Sequence, residues 1–327
     1  MSSPATAIIL AVTVAVILFD VVAKSSDSDP YECGPTPKRD PRNLRHDMIT
    51  VLINGFSESR IPLLQSLAAT YSLSPFVSSV LVLWGNPSTP PRVLQQLERN
   101  LSLSSASAPI SIRPHPSSSL NARFLPRPND IDTDAVLICD DDVEVDGASF
   151  EFAFRVWQAN PNRLVGLFAR SHDVDLKRRE WIYTVHPDRY SIVLTKFMLL
   201  RWHYLFRYTC EGGPRMAMMR RTVDAVRNCE DILMNFVVAD VSNVGPTLVG
   251  ARRVRDYGDA RNDEDGDLSV GLSSRKGEHR KRRGWCIREF HRVLGRMPLR
   301  YSYGKVIDSV GEQGLCHKAG RLVFCDQ

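Results

Sequence analysis

The chain has 327 residues, of which 43% are hydrophobic, and a formal net charge of +5 at pH 7. That length allows one large domain or two modest ones, and the apolar content is enough for a sizeable core. A net charge this small does not by itself indicate a polyanionic partner such as nucleic acid.

Residues 5–23 form a stretch of apolar residues and Thr that only Asp20 interrupts. A transmembrane helix needs roughly 20 such residues. A cleaved signal peptide is the alternative, although its usual charged first segment is missing. Either segment directs the chain into the secretory pathway. We predict a short cytosolic tail at 1–4, a transmembrane signal anchor at 5–23, a stem at 24–45 and a folded domain at 46–327.

From residue 49 onwards, strand-like and helical patterns alternate. Buried-strand patterns lie at 49–53, 77–84, 110–112, 135–139 and 165–168, and a longer strand-like stretch covers 191–200. Helical spacing of apolar residues occurs at 61–71, 93–101 and 150–157, and a further helix opens at Asn228. This alternation predicts an α/β domain with a mainly parallel sheet flanked by helices. Both common phosphate-binding fingerprints are absent, so phosphate must be held by a metal and by basic side chains.

Three carboxylates, Asp140, Asp141 and Asp142, directly follow the buried strand at 135–139. Ligands bind at the carboxyl ends of strands in open α/β sheets. Adjacent acids repel, so the cluster needs a cation or many hydrogen-bond donors, and its hard oxygens suit Mg²⁺ or Mn²⁺. Strand alternation would direct Asp140 and Asp142 to one side and Asp141 to the other. A calcium-binding EF-hand is disfavoured because Ala153 replaces its bidentate Glu, and a solvated acidic turn is the non-functional alternative.

Other polar segments are candidates for the same site. Asn121 and Arg123 lie in a polar loop before the acidic strand, although surface residues of these types are usually only solvated. Glu230 and Asp231 open a predicted helix, where acids favour the helix dipole or, in a functional interpretation, face a reacting group. The basic segment 275–292 is typical of a solvated face or a polyanion-binding patch.

Seven cysteines are present, at positions 33, 139, 210, 229, 286, 316 and 325. Their spacing matches no zinc site, and in an oxidising compartment they can pair. The odd count leaves at least one unpaired, for which Cys139 in the buried strand is the natural candidate; spacing leaves the pairing open. Asn100 begins an N-glycosylation sequon and is a predicted glycosylation site.

Several segments together resemble the exostosin-like glycosyltransferases, glycosyltransferase family 64. The resemblance covers residues 46–305 and rests on TDAVLICDDDV (133–143), FAFRVWQANPNRLVG (152–166), NCEDILMNF (228–236), WCIREF (285–290) and MPLRYS (297–302). It implies a GT-A fold, an uncleaved anchor, a single-pass type II arrangement in the Golgi membrane, and a lumenal catalytic domain. The chain looks most like the plant Golgi members that are glycosylinositol phosphorylceramide mannosyltransferases.

By motif position, the resemblance assigns roles to individual residues. Asp140 would contact the nucleotide ribose, with Asp141 beside it in the substrate site, and Asp142 would ligate Mn²⁺. Arg123 lies where the family holds the nucleotide sugar, and Asn121 is assigned to the same part of the site although its spacing differs.

The second half of the chain supplies the remaining roles. Asp231 takes the place of the family's catalytic carboxylate, and Arg283 fits a diphosphate-binding arginine. Cys229 and Cys286 match the positions of the family disulfide.

The resemblance also implies a reaction, which is Mn²⁺-dependent, retaining transfer of mannose from GDP-mannose to a sphingolipid acceptor at the membrane. A UDP-N-acetylhexosamine donor is the alternative within the family. Segments 172–189 and 256–267 depart from the animal members and are expected to shape acceptor and donor choice. The non-enzymatic alternative is a lumenal protein that binds an acidic glycan or a phospholipid headgroup through 275–292.

Overall fold

The computed structural model describes residues 40–258 and 276–308, together with the backbone of 315–318 and 321–324. The predicted tail, the predicted anchor and most of the predicted stem lie outside the described residues. Within the described ranges, no helix is both long enough and apolar enough to cross a bilayer. The described residues belong almost entirely to the predicted globular domain.

Strands and helices alternate through the first half of this domain. The helices are α1 (Ile61–Ser72), α2 (Pro91–Leu103), α3 (Gly147–Ala159), α4 (Trp202–Cys210), α5 (Gly213–Val226), α6 (Glu230–Ser242) and α7 (Lys276–Leu294). The strands are β1 (Arg45–Gly55), β2 (Val77–Trp84), β3 (Ile110–Pro114), β4 (Thr133–Asp140), β5 (Val143–Val145), β6 (Val165–Gly166), β7 (Ala169–Asp175), β8 (Glu180–Thr184), β9 (Arg189–Tyr190), β10 (Ile192–Val193), β11 (Phe197–Arg201), β12 (Thr247–Leu248), β13 (Val254–Asp256), β14 (Ser302–Tyr303), β15 (Leu315–Lys318) and β16 (Arg321–Phe324). Short 3₁₀ segments lie at Pro41–Asn43, Glu58–Arg60 and Leu120–Phe124.

A seven-stranded sheet in the order β12-β6-β11-β4-β1-β2-β3 forms the centre of the domain. β1 pairs in parallel with β2 and β4, β2 with β3, and β12 with β6. β11 runs antiparallel to both β4 and β6. The sheet is therefore mixed and mainly parallel, which confirms the predicted α/β class.

Alternate side chains of β4 pack on opposite faces of the sheet. Val136 and Ile138 lie in one apolar cluster, whereas Leu137 and Cys139 lie in the other. All of them are at most 1% exposed, so β4 is buried on both faces, which explains its unbroken apolar sequence. Asp140, the last residue of this strand, is the first of the consecutive carboxylates.

Helices cover both faces of this sheet. One face is covered by α1, α2 and α3, which contribute apolar side chains such as Leu64, Leu101 and Phe154. The other face is covered by α4 to α7, with side chains such as Phe236 and Phe290. The two large apolar clusters give the sheet a rigid frame, and the polar residues of interest lie at its carboxyl edge.

Two strands differ from their predicted form. The strand predicted at 165–168 consists of Val165–Gly166, after which β7 begins a separate small sheet. The stretch predicted at 191–200 divides into β10 and β11, with residues 194–196 between them. Both differences arise where the chain leaves the central sheet to form the hairpin of β7 and β8.

The basic segment 275–292 coincides with α7, and it is not solvated all round. Arg283, Cys286, Ile287 and Phe290 are buried. These positions recur at intervals of three and four residues, which places them on one stripe of a helix. The interpretation of this segment as a simple solvated face is therefore wrong.

Gly166 in β6 marks a close approach within the sheet. A Cβ at this position would overlap the Val193 side chain and lie 2.6 Å from the carbonyl oxygen of Phe197. Because backbone cannot yield as a flexible side chain can, we expect Gly166→Ala to lower the free energy of unfolding by about 1–3 kcal/mol. Urea denaturation measures this change.

Gly147→Ala is the matched control for that prediction. A Cβ at Gly147 meets no atom within 4 Å, and Ala favours the helix that begins there. Equal losses of stability in both variants would contradict the role of close approach at Gly166.

Candidate active site

β1 and β4 end side by side at the carboxyl edge of the sheet, with Asn54 opposite Asp140. Asn54 donates from Nδ2 to the carbonyl oxygen of Cys139 at 2.9 Å, and the backbone N–H of Asp141 donates to the carbonyl oxygen of Asn54 at 3.2 Å. The strand ends at Asp140, so alternation does not extend to the next two acids. The expectation that Asp141 and Asp142 face opposite sides is wrong, because both contact one guanidinium.

Arg60 supplies that guanidinium. Its Nη1 donates to Oδ1 of Asp141 and to Oδ2 of Asp142, each at 3.0 Å. Arg60 stands directly before α1, and its side chain is 18% exposed. The backbone N–H of Phe56 donates to the other oxygen of Asp141 at 3.4 Å. Because Asp141 is 4% exposed and both of its oxygens are engaged, the structure makes it part of the frame, in contrast to its predicted contact with substrate.

Asp142 keeps one carboxylate oxygen unpaired. Its Oδ1 is buried and accepts no hydrogen bond from any described residue. Gly258 lies against the other oxygen, where a Cβ would overlap it, and the backbone N–H of Tyr257 donates to the carbonyl oxygen of Asp142 at 2.8 Å. Burial, followed by the nearby charge of Asp140, raises the pKa of Asp142 to about 6, although neighbouring cations partly offset this.

The carboxylate oxygens of the acidic turn are suitable ligands for a hard divalent cation. An unpaired buried oxygen is costly, and carboxylate oxygens are ligands that Mg²⁺ and Mn²⁺ prefer. Across residues 40–258 and 276–308, no three His, Cys, Asp or Glu side chains are arranged to hold a metal ion by themselves. Such cations are commonly bound by one or two carboxylates together with substrate phosphates, so a diphosphate would complete this site.

Arg123 links Asp140 to the first residue of α6. Its Nη1 lies 3.2 Å from Oδ1 of Asp140 and 3.2 Å from Oε1 of Glu230, and it donates to Oγ1 of Thr195 at 2.9 Å. Burial raises the pKa of Glu230, and Arg123 opposes this shift. The Arg123 side chain is 11% exposed, whereas that of Asp140 is 26% exposed and remains accessible to a ligand.

Asp231 and Arg283 form a buried ion pair beside this group. Nη2 of Arg283 donates to Oδ2 of Asp231 at 2.5 Å, Nη1 donates to Oδ1 of Asn228 at 3.0 Å, and the guanidinium lies 4.4 Å from the centre of the Tyr183 ring. Burial alone would lower the pKa of Arg283, but the charge of Asp231 raises it above its ordinary value. Nε of Arg283 is buried and has no hydrogen-bond partner among the described residues, so one donor remains for an anion.

Two tethers fix the Asp231 end of α6. A disulfide joins Cys229, which precedes α6, to Cys286 in α7, with the Cα atoms 6.4 Å apart. Asn235 donates from Nδ2 to the carbonyl oxygens of Val193 and Asp231, both at 2.8 Å, and accepts the backbone N–H of Val193 at 3.0 Å. The first turn of α6 therefore cannot move without breaking a covalent bond or buried hydrogen bonds.

Lys196 and Asp256 add an ion pair near Asp142. Nζ of Lys196, in the connection before β11, lies 2.5 Å from Oδ2 of Asp256 at the end of β13. β13 pairs with β5, which directly follows the acidic turn. The predicted loop at 256–267 thus starts beside the acids, and its residues beyond 258 lie outside the described residues.

Most of the predicted site residues form a network of three neighbouring ion-paired groups. Arg60 pairs with Asp141 and Asp142, Arg123 pairs with Asp140 and Glu230, and Arg283 pairs with Asp231. The chain itself joins these groups, because Asp140 precedes Asp141 and Glu230 precedes Asp231. Asn121 does not join them, because its Nδ2 donates to the carbonyl oxygen of Arg220 at 3.0 Å and its Oδ1 accepts the Tyr208 hydroxyl at 2.5 Å. It is 1% exposed, and its contact with substrate stays a prediction. Its amide holds the 3₁₀ segment that presents Arg123.

The side chains of Asn100 and Cys139 form no hydrogen bond or ion pair with the network. Asn100 is in the last turn of α2, partly exposed, and its Oδ1 accepts from Nε2 of Gln96 at 2.8 Å; its glycosylation stays a prediction. Cys139 is buried and unpaired. Cys33 and Cys325 lie outside the described residues.

Sequence analysis missed Arg60, Thr195 and Lys196 and gave Glu230 no assigned role. Arg60 follows β1 in the sequence, and its position indicates a role in the site only when β1 is known to lie beside β4, which carries the acids. Thr195 and Lys196 stand in a connection within a stretch predicted as continuous strand, and no motif marks them.

Comparison with known proteins identifies the family. The Glycosyl transferase family 64 domain matches residues 49–311. Glycosyltransferase family protein 64 C3 of Arabidopsis thaliana is 64% identical over 310 residues, which cover 94% of each chain. This chain belongs to glycosyltransferase family 64. It is therefore a glycosyltransferase, an enzyme that binds a nucleotide sugar.

More distant matches extend the picture. Exostosin-1a of Danio rerio is 32% identical over 269 residues, and Exostosin-1 of Bos taurus is 33% identical over 247 residues. These matches cover 79% and 74% of this chain but 33% and 30% of the exostosins, so the chain spans about a third of their length. The crystal structure of GalNAc-T7 with UDP, GalNAc and Mn²⁺ gives a TM-score of 0.42 at 8% identity, over 62% of this chain and 42% of that chain. A score that low does not establish a shared fold.

Without divalent cations, the titration of Asp142 should make the protein less stable as the pH rises. Its pKa in the folded protein is about 6, against an ordinary 3.8, so between these values the folded state binds more protons than the unfolded state. The free energy of unfolding then falls with increasing pH, by roughly 2–3 kcal/mol in all. Asp142→Asn removes this decline, so in EDTA at neutral pH the variant should be more stable than the parent chain in urea denaturation.

Asp47→Asn is the control for that experiment, because the Asp47 side chain is 75% exposed. It should keep the pH profile of the parent chain. The interpretation fails if Asp142→Asn keeps that profile too.

Proposed function

We propose that this glycosyltransferase moves mannose from GDP-mannose to glycosylinositol phosphorylceramide sphingolipids, with Mn²⁺ as cofactor and with retention of the anomeric configuration. The observation that carries the proposal is the position of Arg123. It pairs with Asp140 at the carboxyl edge of the sheet and with Glu230, which directly precedes Asp231 of the buried pair with Arg283. The 64% identity to a plant family member, against 32% and 33% to the exostosins, supports a plant-type substrate.

The acidic turn would form the donor site. Asp142 would hold the Mn²⁺, since its buried Oδ1 has no partner among the described residues. A bound Mn²⁺ supplies positive charge that stabilises the departing diphosphate. Asp140, the more exposed carboxylate, would accept hydrogen bonds from the ribose hydroxyls, while Asp141 stays with Arg60 in the frame.

The buried ion pair would act at the reacting bond. Arg283 has an unused Nε donor and a permanent charge, which suit an oxygen of the diphosphate as negative charge develops there. Asp231 would stabilise the positive charge that develops at the anomeric carbon. Its salt bridge with Arg283 makes it a weak nucleophile, which favours this role over covalent attack.

Retention follows from the direction of attack. The acceptor hydroxyl approaches on the face from which the diphosphate leaves. Its oxygen bonds to the anomeric carbon as the bond from that carbon to the diphosphate oxygen breaks. The hydroxyl proton passes to the departing diphosphate, so no protein base has to be consumed. Asp231 on the other side of the sugar would steady the intermediate charge.

The proposal includes a Golgi location, a GT-A arrangement and a type II anchor at 5–23. The disulfide between Cys229 and Cys286 supports an oxidising compartment. The mainly parallel sheet with carboxylates at its carboxyl edge supports the nucleotide-sugar arrangement. A UDP-N-acetylhexosamine donor is the second candidate, and the identity to exostosins over three quarters of this chain favours it.

The two carboxylates proposed for metal binding and for catalysis should be separable. Asp231→Asn keeps an acceptor for Arg283 but removes charge, so turnover should fall by about 10²–10³-fold while donor affinity stays the same or improves. Asp142→Ala should instead abolish the Mn²⁺-dependent part of donor binding. Steady-state kinetics and calorimetry with GDP-mannose measure the two effects. Equal loss of donor affinity in both variants would count against separate roles.

Donor identity is tested directly by calorimetry with the full chain in detergent. We expect GDP-mannose to bind in the presence of Mn²⁺ and to bind far more weakly in EDTA, because the diphosphate and the cation complete one another's coordination. UDP-N-acetylglucosamine is the comparison ligand. A preference for UDP-N-acetylglucosamine would replace the proposed donor but would leave the proposed site residues unchanged. Donor binding that is independent of Mn²⁺ would contradict the proposed role of Asp142 as a metal ligand.

A further inference from the structure

The hairpin of β7 and β8 ends in a turn with an unusual surface. Residues 176–179 read Leu-Lys-Arg-Arg and are all exposed, with Leu176 at 83%. Asp175 orders the turn, because its Oδ1 accepts the backbone N–H of Lys177 at 3.0 Å and of Arg178 at 3.1 Å. Arg179 has a φ of 53°, a left-handed conformation that is uncommon for a residue other than glycine. The chain thus holds an apolar side chain and three cations at the outer end of an ordered turn.

Helix α7 packs along β8 and carries a second group of exposed basic residues, on the side of Gly284 that points away from the turn. A Cβ on Gly284 would lie 3.5 Å from the backbone of Trp181 and of Tyr183, and Nη1 of Arg288 lies 3.1 Å from Oε2 of Glu180, next to the turn. The exposed residues of α7 that flank Gly284 are Arg280, Lys281, Arg282 and Trp285, the last at 41% exposure. Basic residues and Trp together are typical of contact with a lipid headgroup region.

The same hairpin leads back to the active site. Tyr183 in β8 lies against the guanidinium of Arg283, four positions after Arg179. A strand rises about 3.3 Å per residue, so the turn lies roughly 13 Å from Tyr183 along the strand. A headgroup bound at the turn would therefore lie on the hairpin that also carries the ring against Arg283, the residue proposed above to bind the diphosphate.

We propose that the turn 176–179 and the exposed face of α7 form a membrane-contact surface that binds anionic lipid headgroups. Leu176 and Trp285 enter the interfacial region, and the Lys and Arg side chains pair with lipid phosphates. This deepens the proposed function, and its acceptor side rests on that function. A sphingolipid with phosphate in its headgroup would be presented within reach of Arg283.

The distribution of charge favours a membrane over other partners. A single exposed leucine is ordinary on a soluble protein, so Leu176 alone indicates nothing. Here the cations are spread over a turn and a helix, which suits a broad anionic surface better than a small anion that needs converging donors. The apolar groups are also too few for the core of a stable protein interface.

The test uses the full chain reconstituted in nanodiscs. Leu176→Cys is labelled with an environment-sensitive fluorophore, and Leu73→Cys, 65% exposed on the opposite face of the sheet, is the matched control site. The unsubstituted chain reports background labelling of its own cysteines. We expect emission from position 176 to move to shorter wavelength in phosphatidylcholine discs that contain phosphatidylinositol, but not in phosphatidylcholine alone. The variant that also carries K177E, R178E and R179E should lose this shift.

Three fluorescence outcomes would overturn the proposal. Equal shifts at positions 176 and 73, or none at 176 with phosphatidylinositol, would exclude a contact made by this turn. The same shift produced by soluble inositol phosphate over phosphatidylcholine discs would assign the turn to a free anion. GDP-mannose calorimetry on the same samples tests the proposed function separately. If GDP-mannose does not bind but the emission at position 176 still shifts, the proposed donor is wrong and the membrane contact is supported. If GDP-mannose binds but the emission does not shift, only the membrane contact is wrong.

Discussion

The compensation of buried like charges is the constraint on which the rest of the structure depends. Consecutive acids at the end of β4 and at the start of α6 are expensive to bury unless each meets a cation. Arg60, Arg123 and Arg283 meet this need, and each comes from a different element: the 3₁₀ segment Glu58–Arg60, the 3₁₀ segment Leu120–Phe124 and α7. The acids can therefore occupy the sheet edge only when these elements are all in their native places.

This balance also shapes how ligands enter. Most of the acids in the network already face an arginine, so an incoming diphosphate adds charge that the free protein does not neutralise. The unpaired oxygen of Asp142 and the unused Nε of Arg283 are the two buried polar atoms of the network left without partners among the described residues. One suits a cation and the other an anion, so a cation and a diphosphate would each improve the binding of the other.

Sequence patterns correctly predicted the elements whose structure depends mainly on their own residues. The strand at Val77–Trp84 has its predicted bounds, because an apolar run flanked by turn residues has few alternatives. Arg283 was reached only through a family resemblance, since its basic surroundings hid the buried stripe of α7. The direction of Asn121 depends on Tyr208, a residue distant in sequence, so its loop position was misleading. Arg60 required the order of strands in the sheet, which periodicity does not contain.

The disulfide lies next to the buried ion pair of Asp231 and Arg283. Cys229 is two residues before Asp231, and Cys286 is three residues after Arg283, so one covalent bond joins the two helices that carry the pair. It closes a loop across a separation of 57 residues, which stabilises the fold by about 4 kcal/mol in the chain-entropy model. Reduction of this bond would therefore act directly on the helices that hold Asp231 and Arg283. In a reducing environment, noncovalent contacts alone would hold these two helices together, so the geometry of the candidate site depends on the oxidation of this bond.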